Sequence, residues 1–248
     1  MDLHYYAALG HTEKVRELLN ESNAQHHDHS NKTVMHYAAI NGNVEMVDLI
    51  LPYVDKSLIM EENGPYELAV KHYQFEVIER FMMTYSIDCD ELMCEAASQG
   101  SINLVKTLLK YAKKDIPLYS AAEAGHANIV ELLIQYGADV YYKQEEYTPL
   151  HVAIARGHVY VVRVLIPYFT NINMATLEDY TALHLAILFK QVEIVKDLLS
   201  HPDIDVHVMN KNNTLLDFAK YYGTDEMVFM LIDHGVTEMN PISSCIIL

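Results

Sequence analysis

Apolar residues along this chain come in short helical clusters, two to a period, and the clearest period runs from Thr148 to Ile166. Leu150, Ala153 and Ile154 stand at i, i+3 and i+4, the stripe of one short helix, and Val161, Val162, Leu165 and Ile166 form the stripe of a second. Polar and special residues punctuate the two. The Thr148 hydroxyl can accept from the free N–H groups of a first helical turn, and Pro149 falls at the first helical position, where its missing N–H costs nothing. Gly157 falls where the first helix must end in the left-handed conformation that other residues resist. Ala153 is small enough for a second helix to approach closely. Such a helix pair cannot bury its own faces and needs stacked neighbours.

With the residue that ends the first helix as a ruler, the chain reads as eight repeats, marked by Gly10, Gly42, Tyr73, Gly100, Gly125, Gly157, Lys190 and Gly223. The spacing is compressed between Tyr73 and Gly125. The first repeat opens directly on Leu3-His4-Tyr5-Tyr6-Ala7, and its second helix carries Val15, Leu18 and Leu19. In the second repeat the second helix, with Val44 to Leu51, should stop before Pro52. Tyr73 should be strained or should lack the left-handed cap. The connectors Tyr85 to Asp90 and Ala112 to Ile116 are too short for a protruding hairpin, so tight turns and a notch are expected there. Residues 236–248, with Pro241 and two serines, read as a flexible tail.

The hexapeptide Thr148-Pro149-Leu150-His151-Val152-Ala153 has the form T-P-L-H-x-A on a period near 33 residues, and in this it resembles the ankyrin repeats. Thr33-Val34-Met35-His36-Tyr37-Ala38 and Thr181-Ala182-Leu183-His184-Leu185-Ala186 repeat the phrase, while Gly64-Pro65-Tyr66-Glu67-Leu68-Ala69 has drifted from it. The resemblance covers roughly residues 2–235. It implies an all-α ankyrin-repeat solenoid of about eight helix-pair units over residues 1–235, with short or missing hairpins in the middle. It also implies that His4, His36, His151 and His184 hydrogen-bond backbone between repeats, one per repeat, and are not a shared metal site.

Function is expected at positions that packing does not dictate. In the family these are the residue after the motif His, the two residues before the helix-ending Gly, and the hairpin tips, all facing a concave groove. Here they hold Tyr5, Tyr37, Ile40 with Asn41, Lys71 with His72, Arg156, Leu188 with Phe189, and Tyr221 with Tyr222; Tyr141 and Tyr142 lie near a tip. Large aromatic rings at such places favour a protein ligand, because they bring contact area at low entropic cost. For any one of them the alternative is packing against the next repeat.

Composition narrows the classes. A hydrophobic share of 51% excludes a disordered chain, and no run of about 18 apolar residues is present. The opening residues carry no secretory signal pattern. Cys89, Cys94 and Cys245 show no framework spacing, which suggests a reducing compartment. A net charge of −17 argues against nucleic acid and favours a basic partner, although solubility alone explains it equally well. No G-x-S-x-G, P-loop or H-E-x-x-H occurs, so neither catalysis nor a cofactor is expected. The loop His26-His27-Asp28-His29 has metal-ligand residue types, but neighbours in an extended loop point apart, and a solvated loop is the simpler reading.

Cys245-Ile246-Ile247-Leu248 has the form of a C-a-a-X box, whose Leu favours geranylgeranyl over farnesyl. Lipidation by a host geranylgeranyltransferase at Cys245 would place the protein on a membrane in a eukaryotic cytosol. The combination is similar to prenylated ankyrin effectors of intracellular bacteria, and a eukaryotic adaptor would look the same. A soluble adaptor or inhibitor with an accidental C-I-I-L remains the alternative, since no Lys or Arg follows Lys220 to give a second, polybasic signal.

Overall fold

A computed structural model describes residues 2–211 and 213–236. Among the described residues it contains seventeen α-helices, two short 3-10 turns and one two-stranded ladder. In chain order the helices are α1 (Leu3–Ala8), α2 (Thr12–Leu18), α3 (Val34–Asn41), α4 (Val44–Ile50) and α5 (Lys56–Ile59). Next come α6 (Pro65–Lys71), α7 (Phe75–Tyr85), α8 (Asp90–Ser98), α9 (Ile102–Leu108), α10 (Asp115–Ala124) and α11 (Ala127–Gln135). The last six are α12 (Pro149–Arg156), α13 (Val159–Leu165), α14 (Ala182–Leu188), α15 (Val192–Leu199), α16 (Leu215–Tyr222) and α17 (Asp225–Asp233). Setting α5 aside, they form the eight successive pairs that the sequence indicates.

The described chain divides into two compact units, residues 2–89 with 106–112, and residues 90–105 with everything described from 113 onward. In the first unit α1, α3 and α6 pack side by side, as do α2, α4 and α7. In the second, α8, α10, α12, α14 and α16 form one row, and α11, α13, α15 and α17 form another. The core of each unit lies between its rows. The first helices bury small residues (Ala38, Ala69, Ala121, Ala153, Ala186 and Ala219) and the second helices packed on them bury branched ones (Val47, Ile78, Val130, Val162, Val195 and Leu231), all at most 1% exposed. Burying each such Val, Leu or Ile contributes about 1.5–3 kcal/mol, and no pair has enough of them alone.

Several sequence expectations need correction. Leu18 is 40% exposed and Leu19 half-buried, so α2 buries only Val15; its described helix neighbours are α1 and α4, which cover one side. The helix α4 does end before Pro52, at Ile50, and the chain then passes into a 3-10 turn over Leu51–Tyr53, where proline is tolerated in a first turn. A 3-10 turn at Ile166–Tyr168 carries Pro167 in the same way. The short helix α5 was not foreseen; Asp55 caps it by accepting from the Leu58 N–H at 3.1 Å.

Tyr73 and Lys190 both take the left-handed conformation, with φ of 56° and 57°. The turn is therefore kept without glycine, at about 1–2 kcal/mol of local strain each. Gly223, by contrast, is extended (φ −81°, ψ −155°). Its successor Thr224 explains this, because its hydroxyl accepts from the Met227 N–H and starts α17 from an extended residue.

Hairpin-like lead-ins precede four of the pairs. Asp28 N–H donates to Lys32 O, Gln144 pairs with Tyr147, Thr176 N–H donates to Tyr180 O, and Met209–Asn210 ladders with Asn213–Thr214. The connections over 86–89 and 109–114 form no ladder, as their lengths implied. Of the expected flexible tail over 236–248, Val236 is instead buried, its N–H donating to Leu231 O at 3.0 Å, and residues 237–248, with Cys245, lie outside the described residues.

Candidate protein-binding surface

Two sets of side chains join neighbouring pairs, and what they leave unused is the surface available to a partner. The first set is the motif Thr and His. Thr33, Thr148 and Thr181 each donate a backbone N–H to the Nδ1 of the histidine three residues on, at 3.1, 3.3 and 3.3 Å. Because Nδ1 accepts, the proton of the neutral ring sits on Nε2 and points towards the following repeat. His4 and His151 donate it to backbone, at His26 O (2.7 Å) and Met174 O (3.1 Å), as the family resemblance implied. His36 departs from that expectation: its Nε2 faces the Glu61 carboxylate at 3.3 Å. The Nε2 of His184 has no acceptor, and the His184 ring lies nearly perpendicular to the Phe218 ring, centroids 5.1 Å apart. Burial pushes the His151 and His184 pKa values down to about 4 and lowers that of His36. In the drifted repeat Glu67 does the corresponding work, accepting from the Asn63 N–H at 2.7 Å.

The second set escaped the sequence reading. In four repeats the residue just after the left-handed turn reaches back to a carbonyl of the preceding repeat, as Asn43 does to Gly10 O at 3.4 Å. Gln74 donates to Ile40 O, and His126 and His158 donate to Ser98 O and Glu123 O, each at 2.9 Å. A Cβ on Gly125 would lie 2.7 Å from the His158 ring, and one on Gly157 would lie 2.7 Å from the Gln191 amide. Glycine is thus needed there for space as well as for φ. Lys190 has no such demand, since short Thr224 follows in the next repeat. The signal was a polar residue, Asn43, Gln74, His126 or His158, immediately after the turn.

The residues singled out from sequence fall into two groups. Some are engaged within the array. The half-buried Tyr37 donates its hydroxyl to Asp28 at 2.6 Å, which pushes the phenol up to about 12 and holds the Asp28 carboxyl down to about 2. Half-buried Ile40 offers its carbonyl to Gln74, and Asn41 donates to Ala7 O and Ala8 O. The Tyr141 hydroxyl accepts from Thr170 N–H (2.6 Å) and Asn171 N–H (3.2 Å), and its ring lies against Phe169. Lys71 pairs with Glu67, while His72 is exposed.

The others present area to solvent. Tyr5 is exposed and edge-on to Tyr6, Phe189 is 45% exposed at the end of α14, and Tyr221 is 80% exposed. Tyr222 is 40% exposed and rests on Phe218; Leu188 and Tyr142 are half-buried. Arg156 is exposed and pairs with Glu123 at 2.6 Å. It borders a recess of about 710 Å³ in the second unit that the sequence reading missed. The recess is lined by Glu91, Glu95 and Glu123 together with Cys94, Ser98 and Ser120, so its carboxylates outnumber its one cation.

No three His, Cys, Asp or Glu side chains among the described residues are placed to hold a metal ion. In the His26-His27-Asp28-His29 loop, Asp28 is engaged by Tyr37 and by the Ser30 and Lys32 N–H groups. No helix among the described residues is long and apolar enough to cross a membrane. Stacked helix pairs joined by short polar clamps, with rings and carboxylates left over on one helix row, define a repeat scaffold of the protein-binding class. The family described as Ankyrin repeats (3 copies) matches residues 3–92, 66–144, 92–176 and 141–210. The chain belongs to the ankyrin-repeat family, and its fold is an all-α repeat solenoid that serves as a protein–protein interaction module.

Proposed function

We propose that the protein is a non-catalytic adaptor that holds a basic segment of a partner protein along the first-helix row of its second unit, with a C-terminal lipid bringing the complex to a membrane. The observation that carries the binding reading is the recess of Glu91, Glu95 and Glu123, within the same row as the exposed rings of Phe189 and Tyr221. Carboxylates supply attraction and orientation, and rings supply contact area. The net charge of −17 steers basic partners in the same sense.

A partner recovered from eukaryotic lysate and identified by mass spectrometry provides the ligand for calorimetry. Replacing Glu95→Lys together with Phe189→Ala is expected to weaken it roughly tenfold or more, while melting shifts little, because both residues are exposed. Equal affinity would remove this surface from the reading.

The membrane half of the proposal rests on Cys245-Ile246-Ile247-Leu248. In a eukaryotic host cell, geranylgeranyltransferase would attach a twenty-carbon chain to Cys245, and each buried CH₂ contributes about 0.8 kcal/mol to membrane affinity. The acidic residues Asp225, Glu226, Asp233 and Glu238, which precede Cys245 in the sequence, would repel anionic lipid. The partner therefore serves as second anchor, or the lipid selects internal membranes of low surface charge. Wild type is expected in the membrane fraction of eukaryotic cells, and Cys245→Ser or a geranylgeranyltransferase inhibitor is expected to release it. The same soluble distribution in all three cases, with an unmodified C-terminal peptide by mass spectrometry, would leave a soluble adaptor. The same lipidated adaptor acting from a bacterial source would be a secreted effector.

A further inference from the structure

In the second unit the motif position is His in α12 and α14, but Asp217 in α16. His151 and His184 are buried and cap their helices through the ring. Asp217 is too short for that role and is exposed, accepting the Thr214 hydroxyl at 2.7 Å. One helical turn on, and so on the same face, stands Tyr221 at 80% exposure. Tyr222 meets Tyr221 edge-to-face, with centroids 4.6 Å apart and planes at 72°, and lies in turn on Phe218 at 4.6 Å. Tyr222 is therefore braced from below, and the Tyr221 ring is left open to solvent. With Asn213 these residues line a recess of about 380 Å³.

We propose that this recess takes a single arginine side chain of the partner protein, with the guanidinium plane on the Tyr221 ring and its N–H groups donating to the Asp217 carboxylate. A ring face attracts a cation, and a carboxylate beside it selects a donor. Arginine answers both at once, because its guanidinium is planar, weakly hydrated and forked, whereas the lysine ammonium is a compact, strongly hydrated charge. An anion is refused by Asp217, and a purely apolar group would leave Asp217 and Asn213 covered without partners. The inference rests on the protein-binding reading above and names one contact within it.

The recess can be read without any partner. Amide chemical shifts of the full chain are followed while N-acetyl-arginine N-methylamide is added, with the lysine and the neutral citrulline analogues as controls. Saturable shifts confined to residues 213–222 are expected for the arginine probe, binding at least fivefold weaker for lysine, and none for citrulline. Tyr221→Ala and Asp217→Asn should each abolish the response; both alter exposed side chains, and the citrulline comparison on wild type still decides if either unfolds. No saturable shift, or the same shift with citrulline, overturns the proposal. A partner that binds the Tyr221→Ala variant as tightly as wild type also overturns it, yet leaves the protein-binding reading standing. A drop of about tenfold supports both.

Discussion

Moving the protein from pH 7 to pH 4 is expected to remove about 6 kcal/mol of folding stability, most of it from the second unit. His151 and His184 are buried at 1% and 0% exposure, and burial holds both neutral in the fold, with pKa values of about 4 against an ordinary 6.5. Below pH 6.5 the unfolded chain takes up protons at these two sites and the folded chain does not. Stability is therefore fully present above pH 6.5 and is lost progressively as pH falls to about 4. Each depressed pKa unit corresponds to about 1.4 kcal/mol, so each histidine accounts for roughly 3 kcal/mol. Set against a typical domain stability of about 5–15 kcal/mol, that is enough to unfold the unit in mild acid. His36 adds in the same direction in the first unit. Asp28, held down to about 2 by the Tyr37 hydroxyl, stays ionised across this window.

Denaturant titrations at pH 7, 5.5 and 4 measure the slope. His184→Gln isolates its cause, since a glutamine at the third helical position can still reach back to the Thr181 backbone and cannot titrate. His184 suits the exchange because its Nε2 has no acceptor to lose. The variant should show about half of the wild-type loss. Superimposable pH profiles for the two proteins would show that buried histidines do not set the acid limit.

Gly125→Ala is expected to destabilise the second unit by about 2–3 kcal/mol, an unusual cost for adding one methyl group. Part is the left-handed backbone, φ 85°, which costs a residue with a Cβ about 1–2 kcal/mol. The rest is steric. The new Cβ would lie 2.7 Å from His158 Nδ1, so the ring must move and its 2.9 Å hydrogen bond to Glu123 O is lost, worth about 1 kcal/mol. Lys190→Gly should act in the opposite sense, gaining up to about 1 kcal/mol by relieving the φ of 57°. Paired equilibrium unfolding of the two variants checks both signs. Similar small losses for both would mean that neither conformation nor the clamp matters at these turns.

Much of this is legible in the sequence. The capping Thr148, the N1 proline Pro149 and the turn Gly157 sit where the phrase put them, because each answers a local backbone demand. The missing hairpins at 86–89 and 109–114 followed from length alone. Surface assignment was less secure. Tyr141 and Tyr221 look alike in sequence, yet one hydroxyl is locked to the Thr170 and Asn171 backbone and the other ring is 80% exposed. A tyrosine's role depends on what the next repeat places opposite it, and no local pattern encodes that.

The sequence by itself determined the helix pairs, their number, their caps and their family, because these follow from periodicity within about a dozen residues and from φ preferences of single residues. Only the tertiary structure decided which polar residues clamp one repeat to the one before, as Gln74 does on Ile40 and His158 on Glu123. It also decided that Glu91, Glu95 and Glu123 share one recess, and that Asp217 and Tyr221 share another. The reason is physical. Residues about 33 positions apart become neighbours only when helix pairs stack, and stacking is driven by apolar burial that carries no record of what the polar side chains on its rim will meet.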